Sequence, residues 1–142
     1  MTILDANILL YAHDEEAPQR ERIWAWLKEQ FLRREVLGVP WISLWAFVRI
    51  TTNTRINTSP LSLPQAFGLV QDILAMPGAL IVGPGAAHAA ILKHAAMSGQ
   101  TTGSDLTDAA LAAIAMELGA KLASTDRDFR RFADLAWVNP LD

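Results

Sequence analysis

The residues of this sequence that could do chemistry are aspartates at the ends of its apolar segments. Asp5 follows a short apolar run at the start of the chain, and Asp126 and Asp128 follow another near its end. Asp108 opens a strongly apolar segment between them. An acid next to buried strand residues is costly unless a partner compensates its charge. The elements around these acids indicate what that partner is.

Strands alternate with helices along the chain. Ser43 and Thr107 are the expected N-caps of two helices, and Gly38 is expected to end the unit that precedes the second strand. The pattern predicts strands at 2–5, 39–42, 79–82, 121–125 and 136–138 and helices at 7–12, 18–34, 43 onward, 63–76, 86–98 and 107–118. This alternation indicates a three-layer α/β/α fold of the Rossmann-like kind, with a central, mainly parallel sheet.

Such a fold brings the acids to one edge of the sheet. The carboxyl ends of parallel strands and the N-termini of the connecting helices lie at the same edge, where ligands bind. We expect Asp5, Asp108 and Asp126 to meet there, with Asp128 and Asp105 close by. Clustered carboxylates repel one another unless they share protons or bind a cation. Oxygen ligands without His or Cys favour Mg²⁺, with Mn²⁺ an alternative, and such an ion polarises phosphate and activates water.

Each acid also has a simpler interpretation. Asp108 in a first helical turn is favoured by the helix dipole alone, and Asp105 suits an N-cap better than a metal ligand. Asp126 and Asp128 could form a turn. Asp5 is the hardest to explain in this way, and the shared location of the acids favours the metal site.

The bulk properties fit one domain spanning residues 1–142. The hydrophobic content is 51% and the mean hydropathy is +0.20, which disfavours disorder. No apolar run approaches the ~20 residues of a membrane span, and no secretion signal is recognisable, so we expect a cytoplasmic protein. Cysteine is absent, which excludes disulfides and thiolate metal sites. A net charge of −3 means that any contact with nucleic acid must be local or bridged by a metal.

Three motifs carry a family resemblance: DAN at 5–7, TDA at 107–109 and STDRDF at 124–129. Their order and spacing resemble the PIN domain, and more narrowly the VapC toxins of bacterial toxin–antitoxin pairs. The resemblance covers nearly the whole chain. Further segments that resemble one VapC subgroup are FVRITTN (47–53), PLSLPQA (60–66), TDAALAAIAMELGA (107–120) and WVNPL (137–141).

The resemblance implies an Mg²⁺-dependent endoribonuclease toxin of a type II toxin–antitoxin system. It also implies an RNA substrate, a cognate VapB-like antitoxin and usually a homodimer, and the predicted helix 18–34 is our candidate for antitoxin binding. The family's functional positions match acids and small polar residues here. The metal-binding and catalytic acids correspond to Asp5, Asp108 and Asp126, with Asp128 as a further ligand and with Asn7 and Ser124 as residues that orient the site.

One position departs from the family pattern. Most PIN domains carry a glutamate near the start of the helix after the second strand, where this chain has Ala46. The loss of one ligand leaves the number of metal ions, one or two, open. Arg49 and Asn53 share the face of Ala46, so Arg49 either holds substrate phosphate or a carboxylate at the site, or is an ordinary solvated or ion-paired arginine. The same departure motivates an alternative function, a metal-poor PIN-like module that binds RNA or protein without cleavage.

Other enzyme classes on similar scaffolds fit less well. A phosphotransfer receiver needs an acceptor aspartate after its central strand, and segment 79–85 has none. A haloacid-dehalogenase-type phosphatase needs Asp-x-Asp after strand one, whereas 5–7 reads Asp-Ala-Asn.

The remaining notable side chains have no assigned role. The three histidines, which we expect to take no part in the chemistry, are His13, His88 and His94. We expect His88 to be a core residue whose ring nitrogens are hydrogen-bonded. Core or rim positions are expected for Trp24, Trp26, Trp41 and Trp45. Three arginines follow Asp126 closely: Arg127, Arg130 and Arg131. The sequence leaves two interpretations of them open, an RNA-flanking cluster or a solvated turn.

Overall fold

Five parallel strands form one sheet at the centre of the protein. A computed structural model describes all 142 residues, and the strands lie in the order β3-β2-β1-β4-β5. Every pair is parallel; Ile3 of β1 pairs with Gly38 of β2 on one side and with Leu122 of β4 on the other. The order reverses direction around β1, so the carboxyl ends of β1 and β4 lie side by side at the centre of one edge.

The elements follow one another with short connections. They are β1 (Thr2–Leu4), α1 (Ala6–His13), α2 (Arg20–Leu32), β2 (Leu37–Pro40), α3 (Trp41–Thr51), α4 (Leu63–Leu74), β3 (Ala79–Val82), α5 (His88–Ser98), a 3₁₀ turn (Gly103–Asp105), α6 (Leu106–Glu117), β4 (Lys121–Ala123), a second 3₁₀ turn (Arg127–Arg131) and β5 (Trp137–Val138). None of these helices combines the length and the apolar character that a membrane span requires.

Two hydrophobic cores lie on opposite faces of the sheet and confirm the three-layer α/β/α prediction. Because side chains of a strand alternate between faces, Leu4 points into one core and its neighbour Ile3 into the other. The first core joins β1 and β2 to α1, α2, α3 and α4, and the second joins β1 and β4 to α5 and α6. The sheet is entirely parallel, as buried strands between two helical layers favour.

The boundary between β2 and α3 differs from the prediction. The strand runs over Leu37–Pro40 rather than 39–42, so Gly38 lies inside it instead of ending the preceding unit. Glycine suits this position, because a Cβ there would come within 2.4 Å of the Ile3 side chain. Pro40 ends the strand and α3 begins at the next residue, so Ser43 is not an N-cap but a buried residue of the first helical turn. Thr107 is likewise inside α6, which begins at Leu106 because the preceding 3₁₀ turn runs directly into it.

His13 is a half-buried histidine at the end of α1. Its ring lies against Trp24 and Phe47, with centroid distances of 6.1 and 5.8 Å. Its Nδ1 lies 2.9 Å from the Leu9 carbonyl oxygen, which only accepts, so Nδ1 carries the proton. Burial in these surroundings lowers the pKa of His13.

The free energy of unfolding is therefore expected to fall as the pH drops below about 6.5. In that range the unfolded chain takes up a proton at His13 that the folded state resists, which destabilises the fold by up to about 1 kcal/mol near pH 5.5. Urea unfolding at pH 7.5 and 5.5 measures this, with His13→Asn, which keeps a donor near the Leu9 carbonyl, as the comparison. An equal loss of stability in both proteins between these pH values would remove His13 as the cause.

Candidate metal centre

Asp5 connects β1 to α1 and is held by three donors. Its backbone N–H donates to the Ala123 carbonyl at 3.0 Å, which extends the pairing of β1 with β4. Its Oδ1 accepts the Ala6 N–H at 2.6 Å and so caps α1. Its Oδ2 accepts from Ser124 Oγ at 2.6 Å and from Asn7 Nδ2 at 2.9 Å. The carboxylate is thereby fixed in one orientation at the sheet edge.

Ser124 is the centre of this hydrogen-bond network and is fully buried. Its hydroxyl donates its one proton to Asp5, and its oxygen accepts from Asn7 Nδ2 at 2.9 Å and from the Asp126 N–H at 3.1 Å. Asn7 Oδ1 in turn accepts the Thr125 N–H at 3.2 Å. Because one hydroxyl uses its full bonding capacity here, Ser124 couples the position of Asp5 to that of Asp126.

Replacement of Ser124 by alanine is expected to destabilise the protein by about 1–3 kcal/mol. The change leaves the Asn7 amide and the Asp126 N–H without their acceptor and removes a donor from Asp5. Urea unfolding measures the loss, with Ser98→Ala as the control at an exposed serine, for which a change within about 0.5 kcal/mol is expected. Equal values for the two variants would contradict a structural role for the network.

Asp126 and Asp128 enter the site through the turn that follows β4. Asp126 Oδ1 accepts the Asp128 N–H at 2.9 Å and so begins the 3₁₀ turn Arg127–Arg131. Phe129 is buried in the core and anchors this turn. Asp126 is half-buried beside Ser124, whereas Asp128 is exposed. The turn interpretation of these acids is therefore correct, and it places Asp126 beside Asp5 at the same time.

Asp108 faces the other acids from the first turn of α6. The pKa values of Asp5 and Asp108 are both raised, mainly by burial and further by neighbouring carboxylates. Asp5 is affected by Asp108 and Asp126, and Asp108 by Asp126, Asp105 and Asp128. Because neighbouring carboxylates contribute to both shifts, the structure brings the predicted acids together from three parts of the chain. We call Asp5, Asp108, Asp126 and Asp128 the acidic rim.

The acidic rim contains no paired cation. None of its four carboxylates takes part in a salt bridge, although six salt bridges form elsewhere in the chain. The donors are hard carboxylate oxygens that repel one another, a set that suits a divalent cation of the Mg²⁺ type. No group of three or more acidic or histidine side chains is already arranged to hold an ion, so binding requires a small adjustment of the side chains.

Asp105 does not join the acidic rim as a free ligand. Its carboxylate forms a salt bridge with Arg131 at 3.0 Å and accepts from Thr102 Oγ1 at 3.1 Å, and the Arg131 hydrogen bond lowers its pKa. It stands at the N-cap position of α6 without capping through its side chain. Arg131 thus ties the loop before α6 to the turn after β4, which holds Asp108 opposite Asp126.

The other arginines near the rim also have partners within the protein. Arg127 pairs with Asp142, and the guanidinium of Arg130 lies 5.3 Å from the Trp137 ring centroid. All three arginines are nevertheless exposed in the turn after β4, which agrees with the solvated-turn interpretation, and the RNA-flank interpretation stays a prediction.

Position 46 brings no acid to the site. Ala46 is half-buried on α3, and Arg49, one turn further, is exposed without a salt bridge or hydrogen bond. Arg49 thus has neither a carboxylate at the site nor a structural ion pair as its partner; the structure agrees with a solvated arginine, and its role toward substrate phosphate stays a prediction.

His88 differs from the expected satisfied core histidine. Its ring is half-buried, and Nδ1 is buried without a hydrogen-bond partner, 3.8 Å from Glu117. The Glu117 carboxylate oxygens instead accept the N–H groups of Gly85 and Ala87 at 3.0 and 3.1 Å. His94 is exposed and bonds Asp134 at 2.8 Å, so no histidine reaches the acidic rim.

Comparison with known proteins places the chain in a family. Residues 2–135 match the PIN domain. The chain is 37% identical to the VapC ribonuclease Mb2897 of Mycobacterium bovis and to ribonuclease VapC43 of Mycobacterium tuberculosis, over 100% of this chain and 97% of each relative. It is 36% identical to ribonuclease VapC37 of M. tuberculosis over 99% of this chain and 97% of that protein. The chain therefore belongs to the PIN domain family, and within it to the VapC group.

Solved structures share the same fold at low sequence identity. VapBC2 from Rickettsia felis, bound to a DNA fragment from its promoter, aligns with a TM-score of 0.75 at 15% identity over 97% of each chain. VapBC-1 from nontypeable Haemophilus influenzae aligns with a TM-score of 0.72 at 16% identity over 99% of this chain and 98% of the other. These likenesses confirm the PIN-type α/β/α architecture.

Sequence reasoning missed two features of the site. The first is the Arg131–Asp105 pair, which joins residues 26 positions apart and has no local sequence signal. The second is the exposure of Trp41 and Trp45 on α3, the helix that follows β2. Their spacing of four residues, in a stretch free of acids, was a signal that could have indicated it.

Proposed function

We propose that this protein is a divalent-metal-dependent endoribonuclease, the toxin of a type II toxin–antitoxin pair. The observation that carries the proposal is Asp5, a half-buried carboxylate oriented by Ser124 and Asn7 and facing Asp108 and Asp126 without a basic partner. The full-length relatives named ribonucleases support RNA as the substrate class. Asp5, Asp108 and Asp126 are the proposed catalytic acids and metal ligands, and Asp128 is a further ligand.

The division of labour follows from the contacts. A bound Mg²⁺, or Mn²⁺ in its place, would supply Lewis acidity at the scissile phosphate and lower the pKa of a coordinated water. Asp5 offers a carboxylate already oriented by its network, while Asp108 and Asp126 approach from α6 and β4. Arg49 is free to hold a substrate phosphate. Cleavage by in-line attack of water, with departure of the 3′ oxygen, would give 3′-hydroxyl and 5′-phosphate ends.

The partners are also part of the proposal. Two structural neighbours are VapBC assemblies, which supports a cognate VapB-like antitoxin, and a homodimer is the proposed assembly. The surface of α2 (Arg20–Leu32), which lies within the predicted helix 18–34, is the proposed antitoxin site. The proposed location is the cytoplasm.

An RNA cleavage assay with end mapping tests the activity. The purified protein is incubated with RNA in Mg²⁺ and, separately, with an excess of EDTA. We expect cleavage only with the metal and products that carry 5′-phosphate. Undiminished cleavage in EDTA, or 2′,3′-cyclic phosphate ends, would refute the mechanism.

A metal-poor binding module is the second candidate function. It is favoured by Ala46 and by the absence of three acids already arranged around an ion. Calorimetric titration with Mg²⁺ beside the cleavage assay separates the two candidates. RNA binding with neither metal uptake nor cleavage would favour the module.

A further inference from the structure

One face of α3 exposes two large aromatic side chains and one cation in a regular row. Trp41, Trp45 and Arg49 are spaced by four residues, which places them on one side of the helix. Trp41 is 43% exposed and Trp45 is 66% exposed, and Arg49 is exposed as well. Trp24 and Trp26, in contrast, pack against the first core, and Trp24 donates to the Ala12 carbonyl. We call Trp41, Trp45 and Arg49 the α3 stripe.

The α3 stripe begins beside the acidic rim. β1 and β2 are parallel and paired in register, and they end at Leu4 and Pro40, so Asp5 and Trp41 each follow a strand at the same edge of the sheet. Adjacent strands lie about 4.8 Å apart. Each step of four residues along the helix adds about 6 Å. The α3 stripe therefore runs from the edge of the candidate metal centre away along the protein surface.

The charges around the α3 stripe favour the binding of a polyanion. The chain has 15 acids, yet none falls between Glu35 and Asp72, whereas Arg49 and Arg55 lie within that interval. Asn57 Nδ2 donates to the Ile50 and Asn53 carbonyls at 2.6 and 2.8 Å and so holds the loop that carries Arg55 against the end of α3. Both guanidinium groups lack a salt-bridge partner.

We propose that the α3 stripe binds single-stranded RNA, with unpaired bases stacked on Trp41 and Trp45 and backbone phosphates held by Arg49 and Arg55. The proposal rests on the ribonuclease function proposed above and names its substrate class. Exposed aromatic side chains interleaved with cations form stacking platforms for unpaired bases, and each stacked base contributes about 1–3 kcal/mol. Base-paired RNA hides its base faces and cannot use such a platform. The α3 stripe therefore favours unpaired RNA segments and leads them toward the acidic rim.

Binding is measured without cleavage. The anisotropy of a fluorescently labelled oligouridylate is followed on titration with the full chain in EDTA, and a labelled RNA hairpin with a fully paired stem serves as the second probe. The variants are Trp41→Ala, Trp45→Ala and Trp45→Phe, which keeps an aromatic ring. Met97→Ala, at a 69% exposed position on α5, is the matched control. Thermal unfolding verifies that each variant is folded.

We expect each tryptophan-to-alanine change to weaken binding of the oligouridylate about fivefold to a hundredfold. Trp45→Phe should retain most of the affinity, and Met97→Ala should match the wild type. Paired RNA should bind more weakly and respond little to the tryptophan changes. Unchanged oligouridylate affinity in both alanine variants, or equal effects on paired RNA, would overturn the proposal.

Two further measurements, of oligomeric state and of RNA cleavage, distinguish an interface between two copies of the chain from RNA binding and test the ribonuclease function separately. A change in oligomeric state of Trp45→Ala in sedimentation, with RNA affinity unchanged, would assign the α3 stripe to a second copy of the chain and overturn the proposal. Cleavage by the wild type is scored separately with Mg²⁺. If Trp45→Ala loses RNA binding but the wild type does not cleave RNA, the ribonuclease function is refuted and RNA binding by the α3 stripe is supported. If the wild type cleaves RNA but the variants bind it normally, the ribonuclease function is supported and RNA binding by the α3 stripe is refuted.

Discussion

Asp108→Asn is expected to abolish RNA cleavage and leave the fold intact. The side chain makes no hydrogen bond, and its raised pKa comes from burial and from the neighbouring carboxylates. The substitution therefore removes a metal-ligand charge without breaking a structural contact. Changes to residues that merely orient a metal ligand cost about 10–100-fold, so loss of a ligand should exceed about a hundredfold. Single-turnover cleavage at saturating Mg²⁺ measures the loss.

The stability of the same variant separates a catalytic effect from misfolding. Removing one of several repelling carboxylates should leave the thermal midpoint in EDTA unchanged or slightly higher, because the acidic rim carries uncompensated charge. Asp134→Asn is the matched control, since Asp134 is exposed and bonds only His94. Near-normal cleavage by Asp108→Asn, or a lower midpoint with parallel loss of activity, would argue against the catalytic assignment.

The largest expected loss of stability is that of Gly78→Ala. Gly78 ends the turn before β3 with a φ of +77°, and a Cβ there would lie 2.4 Å from the Glu35 carbonyl oxygen. The left-handed backbone costs an alanine about 1–2 kcal/mol, and the clash with backbone adds about 1–3 kcal/mol. The Gly78 carbonyl also accepts the Leu37 N–H at 2.9 Å, so any shift disturbs the start of β2. Urea unfolding should show a loss of about 2–5 kcal/mol.

Two other glycines separate the causes of this loss. Gly119 has a φ of +60° with open space around it, so Gly119→Ala should show the backbone cost alone. Gly83 has open space and no positive φ, so Gly83→Ala should be nearly neutral. A Gly78→Ala variant no less stable than Gly119→Ala would show that the chain relieves the clash at little cost.

The parallel topology made the acidic rim predictable from sequence. Asp5 and Asp126 lie 121 positions apart along the chain, yet both follow parallel strands, which must end at one edge. The family resemblance then supplied Asn7 and Ser124. The three hydrogen bonds of Ser124 were beyond sequence reasoning, because they depend on the β1–β4 register, which local patterns do not encode.

The errors in the prediction have physical causes as well. Ser43 has the chemistry of an N-cap, but Pro40 ends β2 earlier and the helix starts before the serine. The core alternative for Trp45 is wrong, because its position lies outside the row of Leu44, Phe47 and Val48 that packs in the first core, and its side chain is exposed. His88 lies on the predicted apolar face, yet the carboxylate of Glu117 beside it binds the N–H groups of Gly85 and Ala87, and Nδ1 of His88 has no hydrogen-bond partner.

The central claim is that Asp5, Asp108 and Asp126 share one divalent cation. The most direct test is a Mn²⁺ titration followed by electron paramagnetic resonance, with Mg²⁺ as competitor, on wild type, Asp108→Asn and Asp134→Asn. The account predicts saturable binding in the wild type and in Asp134→Asn, displacement by Mg²⁺, and loss of this binding in Asp108→Asn. The absence of saturable binding in the wild type, or equal binding in Asp108→Asn, would contradict it.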